Sequence, residues 1–286
     1  MSVARSTWRF PMAALMVVGL TITMTACGGG EEGGEATPAP AGPGAANGAA
    51  EAPAAAPAAE PGNPAVAAMG DGSASVSGTV TYTGAVPQLR PLSMDADPQC
   101  AAKHDGPVPN PVLWLGPGNT LGNIFVQVKS GLPERAWEAP AQPAVIDQQG
   151  CEYHPHVIGV MAGQALRFLN SDDLLHNVHG LPQANREFNL GMPGSLKSKD
   201  EVLSTPEPLF PVKCDVHPWM QSYVAVMSHP YFATTGEDGR FEITGLPPGT
   251  YELEAWHERL GTRTASVTVE EGGAASADFS FAPPQS

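Results

Sequence analysis

The chain of 286 residues carries 14 Lys+Arg against 29 Asp+Glu, a formal charge of −15, together with 32 Gly and 30 Pro. Such an acidic balance excludes binding of nucleic acid or an anionic membrane through a basic patch, and 15% charged residues are too few for a coiled coil. Gly and Pro in these numbers mark either unstructured sequence or a turn-rich β fold.

In chain order, the first signal is an export leader. Arg5 and Arg9 precede an apolar run from Phe10 to Thr23, which at fourteen residues is short for a membrane span. The run ends in Met24-Thr25-Ala26-Cys27 before three glycines. This resembles the lipobox of bacterial lipoproteins, with Met24 in place of the usual Leu. The resemblance implies a signal peptide over 1–26, acylation of Cys27, and a chain exported and lipid-anchored to a bacterial membrane, facing periplasm or cell exterior. The plainer alternative is cleavage after Ala26 with Cys27 left free. Residues 27–72 are mostly Gly, Ala, Pro and Glu, which cannot bury enough apolar surface to offset chain entropy. They are expected to form a disordered tether, partly extended by proline.

From Ser73 onward the pattern is β. Short alternating or β-branched runs recur at Val76–Tyr82, Ile124–Val128, Val157–Val160, Ala165–Leu169, Tyr223–Val226, Arg240–Ile243 and Tyr251–Trp256. Thr234-Thr235-Gly236-Glu237-Asp238-Gly239 reads as a hairpin turn, and Gly245-Leu246-Pro247-Pro248-Gly249 as a second turn. With Tyr251 opening the next strand, this resembles the carboxypeptidase regulatory-like fold, a small transthyretin-like sandwich akin to starch-binding modules. The expected fold class is all-β: a sandwich split between 73–130 and 229–286, with a second domain at 131–228 inserted in it or adjacent. Trp256 and Tyr231 could stack on sugar rings, although packing explains them more simply.

The middle segment carries the chemistry. Cys214-Asp215-Val216-His217-Pro218-Trp219-Met220 and Leu174-Leu175-His176-Asn177-Val178-His179 combine a thiolate, two imidazoles and a thioether. That is the ligand set of a blue-copper electron-transfer site. Both motifs resemble the cupredoxins, and the amicyanin and plastocyanin type most closely, which implies a Greek-key sandwich around one mononuclear copper. The resemblance makes His176, Cys214, His217 and Met220 the ligands. It makes Asn177 the residue that ties the two ligand segments and donates toward the thiolate. It also implies electron exit through the solvent-facing edge of His217, with Pro218, Trp219 and Met192 around it. His179 is the rival of His176, and zinc could occupy the same Cys/His/His set.

Setting aside Cys27 for lipid and Cys214 for metal leaves Cys100 and Cys151, which an oxidising compartment would join as a disulfide. The competing use of Cys151 is a second metal site with His154, His156 and His104. The reading is a membrane-tethered one-electron carrier. Residues 1–70 hold five acids and two bases, so the rest keeps 24 acids against 12 bases, a net of −12. That charge would steer it toward a basic redox partner such as a cytochrome c. Two other classes are a copper-handling or storage protein and a metal-free carbohydrate-binding or structural lipoprotein. An enzyme is not expected: no nucleophile elbow, phosphate loop or second His-rich copper cluster is visible. Asp172-Asp173 before His176 reads as a solvated turn.

Overall fold

The structure, a computed structural model, describes residues 70–283. The leader, Cys27 and nearly all of the tether lie outside the described residues. Seventeen strands follow one another with almost no helix. They are β1 (Ala74–Tyr82), β2 (Phe125–Ser130), β3 (Ala144–Gln149), β4 (Glu152–His154), β5 (Val157–Met161) and β6 (Ala165–Asn170). Next come β7 (His176–Gly180), β8 (Phe188–Met192), β9 (Ser198–Val202), β10 (Glu207–Lys213), β11 (Gln221–Met227) and β12 (Phe232–Thr234). The last are β13 (Arg240–Leu246), β14 (Gly249–His257), β15 (Gly261–Val269), β16 (Ala274–Ser276) and β17 (Phe279–Phe281). Every run read as β from the sequence falls in a strand, except that Ile124 lies one residue before β2.

The strands make four sheets. Two belong to one core: β1 pairs with β13, β16 and β17, while the order β12-β2-β14-β15 forms the facing sheet. Thus β1 pairs with strands from the C-terminal part and with none from 131–228. Alternation explains the arrangement. β14 buries Tyr251, Leu253, Ala255 and His257 and turns the intervening residues outward, so one face enters the core. Tyr231 is fully buried there, which removes it as a sugar-stacking platform.

The two local turns play a different part from the one expected. Thr234–Arg240 connects β12 to β13, and Gly245–Gly249 connects β13 to β14, and in each case the two strands lie in opposite sheets. The first is therefore no hairpin, and both are crossovers. Gly239 at φ +67° makes the bend as turn chemistry demands, but a turn does not specify which sheet receives the next strand. The true hairpin joins β14 and β15, which pair from Gly249↔Val269 to His257↔Gly261.

The other two sheets, β5-β11-β10-β7-β8 and β4-β3-β6-β9, enclose a second core that includes Ile146, Leu166, Phe168, Val178, Val212 and Val224. Its exposed edge β9 reads Ser-Lys-Asp-Glu-Val, a charged strand of the kind that resists edge-to-edge pairing. β5 is buried at all five positions because its outer side packs on the first sandwich. Gly159 permits this approach: a Cβ there would lie 2.5 Å from the ring of Phe232 and 2.8 Å from that of Phe125.

Between β1 and β2 the chain leaves the first sandwich. Met94, Cys100 and Val108 are buried in the second core, and the short helix α1 (Pro98–Ala101) sits on that domain. A disulfide joins Cys100 to Cys151 across a separation of 51 residues, worth roughly 4 kcal/mol by loop entropy.

Candidate metal centre

The centre forms at one end of the middle sandwich, where β7 begins and the loop after β10 returns as β11. His176 opens β7, Cys214 follows the last residue of β10, and His217 and Met220 lie on the loop to β11. Pairing of β10 with both β7 and β11 brings these segments together. Tyr153 fastens the two ligand strands: its buried hydroxyl donates to Asn177 O at 2.6 Å and to Lys213 O at 3.2 Å. The loop closes on itself through Met220 N to His217 O at 2.9 Å and Cys214 N to Met220 O at 3.3 Å.

His176, Cys214 and His217 are all buried, and a ligand atom from each lies within 4.8 Å of the others. The two imidazoles face each other through Nδ1 at 2.9 Å, and Cys214 Sγ is 3.8 Å from His217 Nδ1. The sulfur also accepts the backbone amides of Asn177 at 3.5 Å and His217 at 3.4 Å. Met220 is 1% exposed and packs in the same core as Cys214.

The outer nitrogens define the proton positions. His176 Nε2 lies 3.0 Å from Asp172 Oδ2, and His217 Nε2 lies 3.2 Å from Asp97 Oδ2. An ionised carboxylate only accepts, so each Nε2 carries the proton and each Nδ1 presents a lone pair. Two such lone pairs at 2.9 Å beside a buried thiol repel unless a proton or cation lies between them. The donor set therefore fits a cation of soft or borderline character.

The electrostatics agree. Burial alone would push the Cys214 thiol up, but the neighbouring His176 and the amides of Asn177 and His217 outweigh it and favour the thiolate. Burial opposes charge on His176, yet Asp172 and Cys214 raise its affinity for a proton overall. His217 goes the other way: burial and then the charge of His176 hold it down, against the pull of Asp97. Asp172 is buried, which would raise it, but it is held well below the usual carboxylate range by His176, the amides of Cys151 and Gly150, and Lys103 at 2.9 Å.

Several expected residues sit elsewhere. Met192 is not at a surface: it is 0% exposed, pairs opposite His176, and its sulfur accepts from Gln148 Nε2 at 3.1 Å. The solvent-facing edge expected of His217 is also absent. The ring is 2% exposed because Asp97 and Cys100 cover its Nε2, with Cys100 Sγ at 3.5 Å. Pro218 is exposed, and Trp219 is half-buried with Nε1 donating to Cys151 O at 3.0 Å. Asn177 ties the segments as expected of it, its Oδ1 accepting Asp215 N at 2.6 Å, but its backbone rather than its side chain reaches the sulfur.

His179 points away from the centre, between Asp215 and Glu187. Among the described residues, Cys151, His154, His156 and His104 form no common ligand group, since Cys151 is in the disulfide and His156 bonds Glu258. The solvated-turn reading holds for Asp173, whose side chain is 96% exposed, and fails for Asp172 at 3%. Asp97 gave no sequence signal beyond Asp-Pro opening a helix: its Oδ1 accepts Gln99 N as an N-cap while Oδ2 reaches His217.

Comparison with known proteins adds the following. The carboxypeptidase regulatory-like domain matches residues 222–282. No curated protein matches the chain. Among solved structures, a copper-containing nitrite reductase from Thermus scotoductus SA-01 is 16% identical with a TM-score of 0.28, over 34% of this chain and 25% of that one. The chain thus spans about a quarter of that enzyme's length. A purple cupredoxin from Nitrosopumilus maritimus is 20% identical, covering 29% of this chain and 99% of that one, TM-score 0.26. A methionine-to-alanine variant of amicyanin in its Cu(I) form is 21% identical, covering 36% and 98%, TM-score 0.27. The described residues are all-β and make two packed sandwiches; the match at 222–282 takes in most of β11 in the second and β12–β17 of the first.

Proposed function

We propose that His176, Cys214 and His217, with Met220 as a weaker fourth donor, hold one copper ion, and that the protein carries single electrons. The observation that supports this best is the pair of Nδ1 atoms 2.9 Å apart beside the buried Cys214 thiol, with both outer nitrogens held by carboxylates. Copper, when bound, supplies one-electron exchange between its Cu(I) and Cu(II) states. Asp172 and Asp97 hold the imidazoles in the tautomer that offers Nδ1, and the amides of Asn177 and His217 share the thiolate charge. A cradle fixed by its own hydrogen bonds needs little rearrangement on a change of oxidation state.

The cover over His217 argues against rapid hand-over of the ion to another protein, and so favours electron carriage over copper handling. Trp219, its ring centroid 5.1 Å from that of His217, offers a route to the exposed Pro218. The net charge of −12 suits a basic partner such as a cytochrome c. Acylation at Cys27 would hold the protein on the outer face of a bacterial membrane, with 27–72 as a spacer. The strand pairing supports a regulatory-like sandwich split around an inserted copper domain.

Adding Cu(II) to the purified chain should produce an intense thiolate-to-copper band that disappears in Cys214→Ser; a colourless wild-type adduct would refute the blue site. In Met220→Leu the colour should remain and the reduction potential rise. An unchanged potential would remove Met220 from the axial position.

A further inference from the structure

Beside the centre just described lies a second convergence of soft donors that the fold keeps closed. Cys100, Cys151 and His217 are all buried and offer ligand atoms within 4.8 Å of one another. The imidazole divides the two sets. Its Nδ1 faces His176 and Cys214, while its Nε2 is 3.5 Å from Cys100 Sγ and 3.2 Å from Asp97 Oδ2. Cys151 is shared in the same way, grouping also with Asp172 and His176. In the structure Cys100 and Cys151 are bonded to each other, and disulfide sulfurs are poor ligands because only the thiolate is a strong donor.

We propose that the Cys100–Cys151 disulfide masks a second metal site, which takes Zn(II) or Cu(I) when the bond is reduced and shares the His217 ring with the first centre. Two thiolates and an imidazole nitrogen form a donor set for either ion, and the Asp97 carboxylate supplies a fourth position for tetrahedral zinc. Asp97 is also the way in, with its side chain 28% exposed above otherwise buried sulfurs. The chemistry balances with an external dithiol. Its two electrons and two protons break the S–S bond to give two thiols, while the donor closes its own disulfide. Metal binding then releases those two protons as the thiolates bond the cation, and the proton on His217 Nε2 shifts to Nδ1 when the first centre is empty or leaves as a third when Nδ1 already holds an ion.

The covering segment is suited to the change. Cys100 lies in the one-turn helix α1, held to the middle sandwich by the disulfide, by Asp97 on His217, and by Lys103 on Asp172 at 2.9 Å. Cutting the covalent link leaves those two polar contacts, a third from His104 Nε2 to Gly150 O at 2.7 Å, and a few apolar side chains to hold it, so Cys100 can part from Cys151 without unfolding a sheet. The redox state of the compartment would thereby set how many metals the protein holds, and occupation of Nε2 would alter the His217 ring that serves the first centre.

The site uses His217 Nε2 and leaves Cys214 aside, so it stands or falls separately from the copper reading. The test takes the full-length chain, oxidised or reduced with a water-soluble phosphine that ends as its oxide and is then removed. Two newly titratable thiols report the reduction. Zn(II) alone is added, and the bound metal is counted after gel filtration. The reduced chain should hold about one equivalent more than the oxidised chain.

The same gain should appear in Cys214→Ser, whose first centre is disabled, and vanish in Cys100→Ala/Cys151→Ala. A gain in Cys214→Ser would support the masked site even where the oxidised wild type gives only a colourless Cu(II) adduct, the result that refutes the copper centre. An equal metal count before and after reduction overturns the proposal. So does a disulfide that a hundredfold excess of phosphine leaves intact, since the folded protein could then never open the site.

Discussion

Among the described residues the first sandwich buries, apart from its tyrosines, the polar side chains of Thr235 and His257, and closes each on nearby backbone. Thr235 Oγ1 donates to Leu121 O at 2.8 Å, and His257 Nδ1 accepts the amides of Arg259 and Leu260. The middle sandwich buries ten, from Gln148 to Ser222, and Asp172, His176, Asn177 and His217 gather at the end where Cys214 lies. Both cores are otherwise made of the same aliphatic and aromatic residues. A buried polar group costs stability unless it is fully partnered, so a fold retains a cluster of them where they do something besides packing. By this measure the candidate site lies in the second sandwich.

The largest effect that separates the two regions should come from Asp172→Asn. An amide cannot replace the carboxylate toward both Lys103 and His176 Nε2–H, and breaking a buried charged network costs about 3–5 kcal/mol. Denaturant unfolding should show that loss, with amide exchange faster in β7 and β10 and unchanged in β14. Equal acceleration in both sandwiches would abolish the distinction.

Leu253→Ala tests the other side. Leu253 is fully buried in the core of the first sandwich, and the cavity should cost about 2–5 kcal/mol. Exchange should quicken in β14 and β15, and the spectrum of the copper-loaded centre should stay as in wild type. A shifted band would mean that the first sandwich positions the ligands directly.

Glu207 sharpens the comparison within the middle sandwich, on β10 but away from the ligands. Burial would raise its carboxyl, yet Asn185 and the amides of Ala184, Gln183 and Asn185 bind the charged form and hold it below the usual range. A depressed folded value means that the stabilisation is present above the unfolded value of about 4.3 and is lost as pH falls through the folded one. Glu207→Gln should therefore cost about 1–3 kcal/mol at neutral pH, with the gap to wild type closing in acid below about pH 4. A gap that persists unchanged there would assign the loss to packing instead.

Local signals determined much of this protein. Period-two alternation is a property of consecutive residues, so Val76–Tyr82 and Tyr251–Trp256 were legible as strands. The residues of the candidate centre were legible because Cys214, His217 and Met220 come from one short loop, and His176 stands beside Asn177. Pairing of Cys100 with Cys151 was legible once Cys27 and Cys214 were set aside as the expected lipid and metal cysteines. The destination of each turn was not legible: Thr235–Gly239 bends the chain correctly but sends it to the facing sheet, a choice made by core burial on both sides. Nor was the cover on His217. Asp97 and Cys100 lie more than a hundred residues before that histidine, in sequence whose local chemistry says only turn and helix cap. Contacts between distant segments depend on packing that no short window contains. Here packing covered a histidine expected at the surface and placed a disulfide against it.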